Sequence, residues 1–448
     1  MISLRRRLFY TTFLIIFFII TPLLFMYAMG YSFSNGFKLQ KTGILVIASE
    51  PKYAKIYLNG ELQQDFIKKL YKKDDYKTTP QKIKNLIPGE YNIKLELDGY
   101  WPWEKKLAIW PGQSTFAEDV KLFKKDAPVS LLSGEQNISI NNNKSNILAW
   151  NKKEATLINP ITNEIKKIDI ATSTLPENKN VIWSPSSNKA LLDNFLIDEN
   201  NQISDLRTKT DKQAKNFQWD NYSDRYVYYI NSAGLNRYQT DDKTTTKIIS
   251  SAAISNYFAQ KDTIYFLINE KESTILNIFD TQKNKITGKI NLPLSNYSFI
   301  NREQKLLNIL DNKYNILYLI DVNSSIKQLK DSLSNISPKN QWISDTQLIY
   351  ANDFEIWMYD LDSSRKKLIT RISKKITDIA WLPTNGHILF STNNNINVIE
   401  LDDREKYNIT KLLEANQIKN PALNKTGDTL FFYADLNDEK GVYKLSIN

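Results

Sequence analysis

A repeat of about 40 residues runs through the C-terminal part of this chain and constrains its fold more than any other feature. Short apolar runs ending in tryptophan occur at Trp183, Trp219, Trp342 and Trp381, at spacings of 36, 123 and 39 residues. Because 123 is three times 41, two further units are expected inside the long gap, and one more on each side of the series. These four remaining positions are Asn256–Ala259, Asn296–Ile300, Ile138–Ile140 and Pro421–Leu423.

Each repeat continues in the same order after its first apolar run. A polar turn is followed by a nearly continuous apolar strand, such as YVYYI, TIYFLI or QLIYA. A third strand then ends in Asp or Asn, and a fourth alternates Lys with Ile. Four short strands at a period near 40 are typical of a β-propeller blade. The sequence therefore predicts an all-β propeller of eight blades, or seven, because the Trp183 unit has weak third and fourth strands.

The propeller is predicted to span residues 127–448 and to close on itself. The last repeat has three strands, and the segment Pro128–Ser133 (PVSLLS) precedes the first repeat. We expect this segment to supply the missing outer strand, because a free sheet edge invites aggregation. The repeats resemble the TolB-type propeller family, in which a tryptophan precedes Ser-Pro-Asp-Gly. Trp183-Ser184-Pro185-Ser186 comes closest to that pattern, and the other repeats retain it only in part.

The N-terminus predicts a membrane anchor. Arg5, Arg6 and Arg7 precede an uncharged stretch of 22 residues from Leu8 to Met29, and about 33 Å of helix is enough to cross a hydrocarbon core. The basic cluster predicts a cytoplasmic stub at residues 1–7, and the domains after the helix are expected outside the cell membrane. Residues 8–29 are longer than the apolar region of a cleaved signal peptide, which favours an uncleaved, single-pass signal anchor. Residues 30–42 are predicted to be a linker.

A small β module is predicted next. Short strands are expected at Gly43–Ile47, Lys55–Gly60, Tyr91–Leu97, Lys105–Trp110 and Phe116–Leu122, with a hairpin at Asn59-Gly60. The order GILVIASEP, AKIYLNGE, TTP and NLIPGEYNIKLELDGY resembles the PEGA family over residues 43–123, with Pro88-Gly89-Glu90-Tyr91 at the position of the namesake tetrapeptide. The resemblance implies an extracytoplasmic β-sandwich of bacterial and archaeal envelope proteins, and no shared catalytic residues.

Two groups of side chains in this module are candidates for ligand binding. Tryptophans that stack on sugar rings would form an exposed platform, although they fill the core of a small module just as well. A lysine-rich stretch would attract an anionic polymer or lipid headgroups, although it equally fits a solvated loop tip that Asp74 and Asp75 partly neutralise. The candidates are Trp101, Trp103 and Trp110, and Lys68, Lys69, Lys72, Lys73 and Lys77.

The composition excludes whole classes of chemistry. The chain has no cysteine and one histidine, His387, so it cannot build a disulfide, a cysteine nucleophile, an iron–sulfur cluster or a conventional zinc site. His387 follows Gly386 and is expected in a surface turn. No cofactor and no metal site are predicted. Nucleic-acid binding is disfavoured, because the net charge of +10 is spread along the chain and the domains face outward.

These observations predict a non-catalytic envelope protein. Its expected role is to bind or organise a cell-wall glycan, an anionic surface polymer or another envelope protein, with the channel mouth of the propeller as the default site. The alternative is a carboxylate-based hydrolase of cell-surface glycans, which needs two clustered acids with perturbed pKa values at that mouth. A third alternative is a structural spacer with no pocket.

Overall fold

The computed structural model describes residues 4–34, 38–64, 76–170, 174–177, 179–300, 306–324, 328–383 and 386–448. The chain divides into two compact units. The first contains residues 1–126 with 400–410 and 448, and the second contains residues 127–399 with 411–447.

The first unit begins with helix α1, Leu4–Ala28. Its segment Leu8–Ala28 is long and apolar enough to cross a membrane, and no part of it is buried within the protein. A signal sequence near an N-terminus meets the same criterion. The predicted linker contains two strands, Tyr31–Ser34 and Lys38–Lys41, which pair as an antiparallel hairpin.

The rest of the N-terminal module consists of two sheets around one apolar core. The three-stranded sheet contains Gln81–Leu86, Gly43–Glu50 and Ser114–Lys121, and the four-stranded sheet contains Glu61–Leu62, Lys55–Leu58, Gly89–Glu96 and Trp103–Ile109, each in spatial order. Every second residue of Gly43–Glu50 is buried, which is the pattern of a strand with one face in a core. Asn59 and Gly60 both have positive φ, at 51° and 84°, in the hairpin between Leu58 and Glu61.

The second unit contains eight four-stranded antiparallel sheets among its described residues. This confirms the predicted all-β propeller. Blades 1 to 4 contain Asn137–Ile140, Ile147–Trp150, Ala155–Ile158 and Ile165–Ile168; Val181–Trp183, Ala190–Leu192, Phe195–Ile197 and Ile203–Asp205; Lys215–Asp220, Ser223–Asn231, Gly234–Gln239 and Thr245–Ile249; and Ile254–Gln260, Thr263–Asn269, Ser273–Asp280 and Lys285–Pro293. The four-residue helix α2, Leu206–Lys209, follows blade 2.

Blades 5 to 8 repeat the same arrangement. They contain Tyr297–Phe299, Leu307–Asp311, Ile316–Ile320 and Leu329–Ser334; Asn340–Trp342, Gln347–Ala351, Glu355–Asp360 and Arg365–Arg371; Ile376–Trp381, His387–Thr392, Asn395–Glu400 and Ile409–Glu414; and Asn416–Leu423, Thr429–Leu436, Glu439–Ser446 and Val129–Ser133.

The last sheet joins strands from the two ends of the repeat region. Val129–Ser133 pairs antiparallel with Glu439–Ser446, with Val129 opposite Lys444 and Ser133 opposite Gly441. The two backbones approach closely at Gly441, because a Cβ atom there would lie 2.3 Å from the carbonyl oxygen of Leu132. Val129–Ser133 is therefore the outer strand of blade 8.

The second strand of each blade is apolar because it is covered on both faces. All six residues of His387–Thr392 are buried, and in blade 3 Tyr228 packs with Tyr257 and Phe266 of blade 4. This corrects the prediction for His387, which begins this buried strand and is itself buried. The polar turn that precedes the strand ends one residue earlier than the sequence suggests.

Side-chain hydrogen bonds also link the first strands of neighbouring blades. The Trp183 indole donates to Ser139 Oγ at 3.0 Å, linking blades 1 and 2. The Asn216 amide donates to Asn256 Oδ1 at 3.0 Å, linking blades 3 and 4. These bonds join polar side chains of adjacent blades at positions that are partly or fully accessible to solvent.

Candidate functional site

The three tryptophans of the N-terminal module do not form one exposed platform. Trp103 is 5% exposed and belongs to the core of the module. Trp110 is 59% exposed and follows the other end of the strand Trp103–Ile109. Trp103 and Trp110 are seven positions apart, which corresponds to about 23 Å along an extended backbone.

Trp101 has a third environment. It is half-buried, and the Lys125 ammonium lies 4.8 Å from the centre of its ring. Its indole nitrogen is buried and has no hydrogen-bond partner in the described part of the chain. Sugar stacking by these three residues stays a prediction, and it cannot use all three rings at once.

The lysine candidates fall largely outside the described residues. Lys68, Lys69, Lys72 and Lys73 belong to the segment 65–75, which the structure does not describe. Lys77 is half-buried, and its backbone N–H donates to Gln63 O at 2.9 Å. Anion binding by this stretch therefore stays a prediction.

A groove with a volume of about 700 Å³ lies beside blades 5 and 6 of the propeller. Three loops form most of it: the connection between blades 5 and 6, the turn between the second and third strands of blade 6, and the connection between blades 6 and 7. Antiparallel strand order brings these three loops to the same face of the blades. The lining residues are Asn315, Asn335, Ile336, Ser337, Asn352, Asp353, Phe354, Glu355, Arg371, Ile372 and Ser373.

Glu355 is the most constrained charge in this groove. Its Oε2 accepts hydrogen bonds from the Asn352 amide at 2.8 Å and from the Trp357 indole at 3.0 Å. Its Oε1 accepts from Arg371 Nε at 2.8 Å, and Glu355 and Arg371 are cross-strand partners in blade 6. The donors Asn352, Trp357 and Arg371 lower the pKa of Glu355. This carboxylate is thus held in its ionised form and its lone pairs are already used, which suits neither a general acid nor a base.

An aromatic side chain stands exposed beside this anchored carboxylate. Phe354 is 48% exposed, and its backbone is fixed on both sides. Its N–H donates to Asn352 Oδ1 at 2.8 Å, and its carbonyl accepts from Ile372 N–H at 2.9 Å. Asp353 forms an ion pair with Lys375 at 2.9 Å. The exposed ring therefore lies on a turn whose backbone is hydrogen-bonded, between the paired charges of Asp353 and Glu355.

A second pair of charged groups consists of Lys339, on the connection into blade 6, and Asp378, in the first strand of blade 7. Lys339 donates from its ammonium to the carbonyl of Ile376, and burial lowers its pKa. Burial also raises the pKa of Asp378 to about 6, even though the Ile379 amide at 2.9 Å and the nearby Lys339 charge favour the ionised carboxylate. Both groups are therefore pushed toward their neutral forms by loss of contact with water.

Among the residues that the structure describes, the two carboxyl groups whose pKa values are raised do not lie together. Burial raises the pKa of Asp220 as well. Asp220 is the last residue of the first strand of blade 3, whereas Asp378 lies near the start of the first strand of blade 7. In the ranges that the structure describes, no cluster of three or more His, Cys, Asp and Glu side chains could hold a metal ion.

Sequence reasoning did not single out the groove residues. Counting back from the pair Asp360 and Arg365 would place Glu355 opposite residue 370, and a register shift between Ile356 and Trp357 places it opposite Arg371 instead. The rest of the groove depends on loops from three separate elements.

The fold is similar to β-propellers of known structure. The Dos1 propeller superposes with a TM-score of 0.50 and 12% identity, over 73% of this chain and 96% of that one. Dipeptidyl peptidase 4 of Porphyromonas gingivalis superposes with a TM-score of 0.51 and 10% identity, over 71% of this chain and 58% of that one. No family model matches the chain, and no curated protein matches it in sequence. Similarity at this level shows the fold alone, and the PEGA and TolB-type resemblances stay predictions.

Proposed function

We propose that this chain is a membrane-anchored binding protein without catalytic activity, whose propeller binds a segment of another extracytoplasmic protein in the groove beside blades 5 and 6. The observation that carries the proposal is the pairing of exposed Phe354 with Glu355, whose carboxylate is already held by three donors. A propeller fold is compatible with enzymes and scaffolds alike, so the local chemistry is what favours binding.

The anchor in this proposal is helix α1. Its length and apolar composition satisfy the requirement of a membrane span. The arginine cluster at residues 5–7 favours a cytoplasmic N-terminus, which would place both units outside the cytoplasm. An envelope setting follows from that orientation and from the resemblance to PEGA modules.

A glycan hydrolase is less well supported as a function. Two carboxyl groups must flank the scissile bond, about 5–10 Å apart. Asp220 and Asp378, the groups with raised pKa values, are in blades 3 and 7. Glu355 follows the exposed Phe354 directly in sequence, and its pKa is lowered rather than raised.

The test compares two exposed aromatic residues of the propeller. Full-length protein in lipid nanodiscs is incubated with separated envelope fractions containing proteins, soluble glycans or peptidoglycan. We expect the Phe354→Ala variant to bind the protein fraction about tenfold more weakly, which is a typical loss for a central aromatic contact. Tyr222→Ala is the matched control, because Tyr222 is also exposed but lies in a turn of blade 3.

Equal binding by both variants would contradict the groove proposal. Binding confined to glycan or peptidoglycan would replace the protein partner with a polymer. Release of sugars from either fraction, abolished by Asp378→Asn, would favour the hydrolase.

A further inference from the structure

One end of the N-terminal module is bonded directly to the end of helix α1. Gly30 follows the helix by two residues, and its carbonyl accepts hydrogen bonds from the Thr42 N–H at 2.7 Å and from the Thr42 hydroxyl at 2.8 Å. The Thr42 carbonyl in turn accepts from the Gly112 N–H at 2.9 Å. Two successive hydrogen bonds therefore connect the turn Trp110-Pro111-Gly112 through Thr42 to Gly30, which follows the C-terminal end of the helix.

The strand register places a second turn at this same end of the module. Gly43, next to Thr42, pairs with Leu86, and Gly89 pairs with Ile109. The turn at residues 87–88, between those two pairs, must lie beside the Trp110 turn. A Cβ atom at Gly43 would lie only 2.6 Å from the Trp110 carbonyl oxygen, so the backbone at Gly43 is in direct contact with the backbone of the Trp110 turn.

Both turns present apolar side chains to solvent at this end. Trp110 is 59% exposed and Ile87 is 39% exposed. Neither side chain is held in the core of the module, although the Ile87 backbone is fixed by a hydrogen bond from the Tyr91 hydroxyl at 2.9 Å. Rigid turns with exposed apolar tips are energetically unfavourable in water and favourable against an apolar phase.

A basic side chain lies beside the same two turns. The aliphatic part of Lys41 runs over Gly112, because a Cβ atom at Gly112 would lie 2.9 Å from the Lys41 Cδ and Cε atoms. Lys41 itself is exposed. Tryptophan, aliphatic residues and lysine at the end of a membrane helix are the set that concentrates at the boundary between lipid and water.

We propose that the turns at Ile87 and Trp110 insert into the headgroup region of the bilayer that helix α1 crosses, with Lys41 against the lipid phosphates. This inference rests on the membrane anchoring in the proposed function. It assigns Trp110 to lipid rather than to a sugar ring. The occupant is a phospholipid surface because the two turns continue directly from the end of a helix with membrane-spanning length and composition.

Single introduced cysteines can test the depth of each turn, because the native chain has none. Nitroxide labels are attached to the full-length variants Ile87→Cys, Gln113→Cys, Tyr53→Cys and Ile16→Cys in nanodiscs that contain anionic phosphatidylglycerol. A high collision rate between the nitroxide and oxygen indicates that the label lies in lipid. A high collision rate with a water-soluble nickel chelate indicates that the label lies in water. Tyr53 is the matched control, because it is 72% exposed and follows the opposite end of the strand Gly43–Glu50.

We expect the oxygen-to-nickel ratio to be several-fold higher at residues 87 and 113 than at residue 53. Adding Trp110→Ser to Gln113→Cys is expected to lower the ratio at residue 113, because the aromatic anchor is lost. Ratios at 87 and 113 equal to that at 53, with a lipid-exposed label at residue 16, would overturn this inference alone. A water-exposed label at residue 16 would overturn the membrane anchoring and this inference together.

Discussion

Replacing Asp378 with asparagine is expected to stabilise the propeller above about pH 6. Burial raises the pKa of Asp378 from 3.8 to about 6, so the folded state binds the carboxyl proton more tightly than the unfolded state. The stability that the protonated Asp378 carboxyl group contributes is fully present below about pH 4 and is lost as the pH rises through 6. Asparagine stays neutral and can still accept the hydrogen bond from the Ile379 amide.

The magnitude follows from the size of the shift. A displacement of about two pKa units at about 1.4 kcal/mol per unit gives about 3 kcal/mol. The side chain of Asp378 keeps some contact with solvent, and the Lys339 charge loses a favourable neighbour in the variant. We therefore expect the variant to gain about 1–3 kcal/mol at pH 7.5 and almost nothing at pH 4.

The assay is denaturant unfolding of the full-length protein in detergent, followed by tryptophan fluorescence at pH 4, 6 and 7.5. A potentiometric difference titration of the folded protein adds a measurement that does not depend on two-state unfolding. In this titration, wild type should take up one more proton than the variant, with a midpoint near pH 6. Asp280→Asn is the control, because the expected change in its stability has the opposite sign. The pKa of Asp280 is lowered by the Lys283 amide and ammonium, so that variant should lose stability at pH 7.5. A gain for Asp378→Asn that is equal at pH 4 and 7.5 would refute the reasoning.

Three further substitutions test other parts of the structure. Gly441→Ala places a Cβ atom 2.3 Å from a carbonyl oxygen of the closing strand; we expect a loss of about 1–3 kcal/mol and faster hydrogen exchange in that strand. Arg371→Gln removes one of three donors to Glu355, so unfolding measurements should show a loss of at most about 1 kcal/mol, because the Arg371 side chain is exposed and Glu355 keeps its bonds to Asn352 and Trp357. Gly43→Ala places a Cβ atom 2.4 Å from the Ile109 side chain and should increase proteolysis of the N-terminal module, whereas unchanged resistance would show that the strands can separate at no cost.

The propeller was predictable because its signal is local and repeated. The second strands are largely buried on both faces, so each has an apolar centre, as in Leu348–Ala351 and Ile388–Phe390. Eight such strands at a regular period specify the blade without any knowledge of distant contacts. The hydrogen bond between Trp183 and Ser139 shows what the pattern leaves out, because it depends on how neighbouring blades meet.

Features that depend on one edge or one loop were harder to predict. The strand Gln81–Leu86 escaped prediction because it lies at the edge of its sheet, where Ile83 is its one fully buried residue. The different environments of Trp101, Trp103 and Trp110 could not be read from the sequence, because residue type does not reveal which end of a strand a side chain occupies. The groove at Glu355 required loops that are adjacent only in the folded chain.

The composition of blade 8 has a consequence for protein synthesis. Val129–Ser133 leaves the ribosome about 300 residues before its partner Glu439–Ser446. At about 5–20 residues per second, this interval is roughly 15–60 s. During that time Val129–Ser133 has no strand to pair with, because its partner has not been synthesised. Blade 8 is therefore the one blade that cannot be completed as its own residues emerge in sequence, and it forms only when Glu439–Ser446 is available.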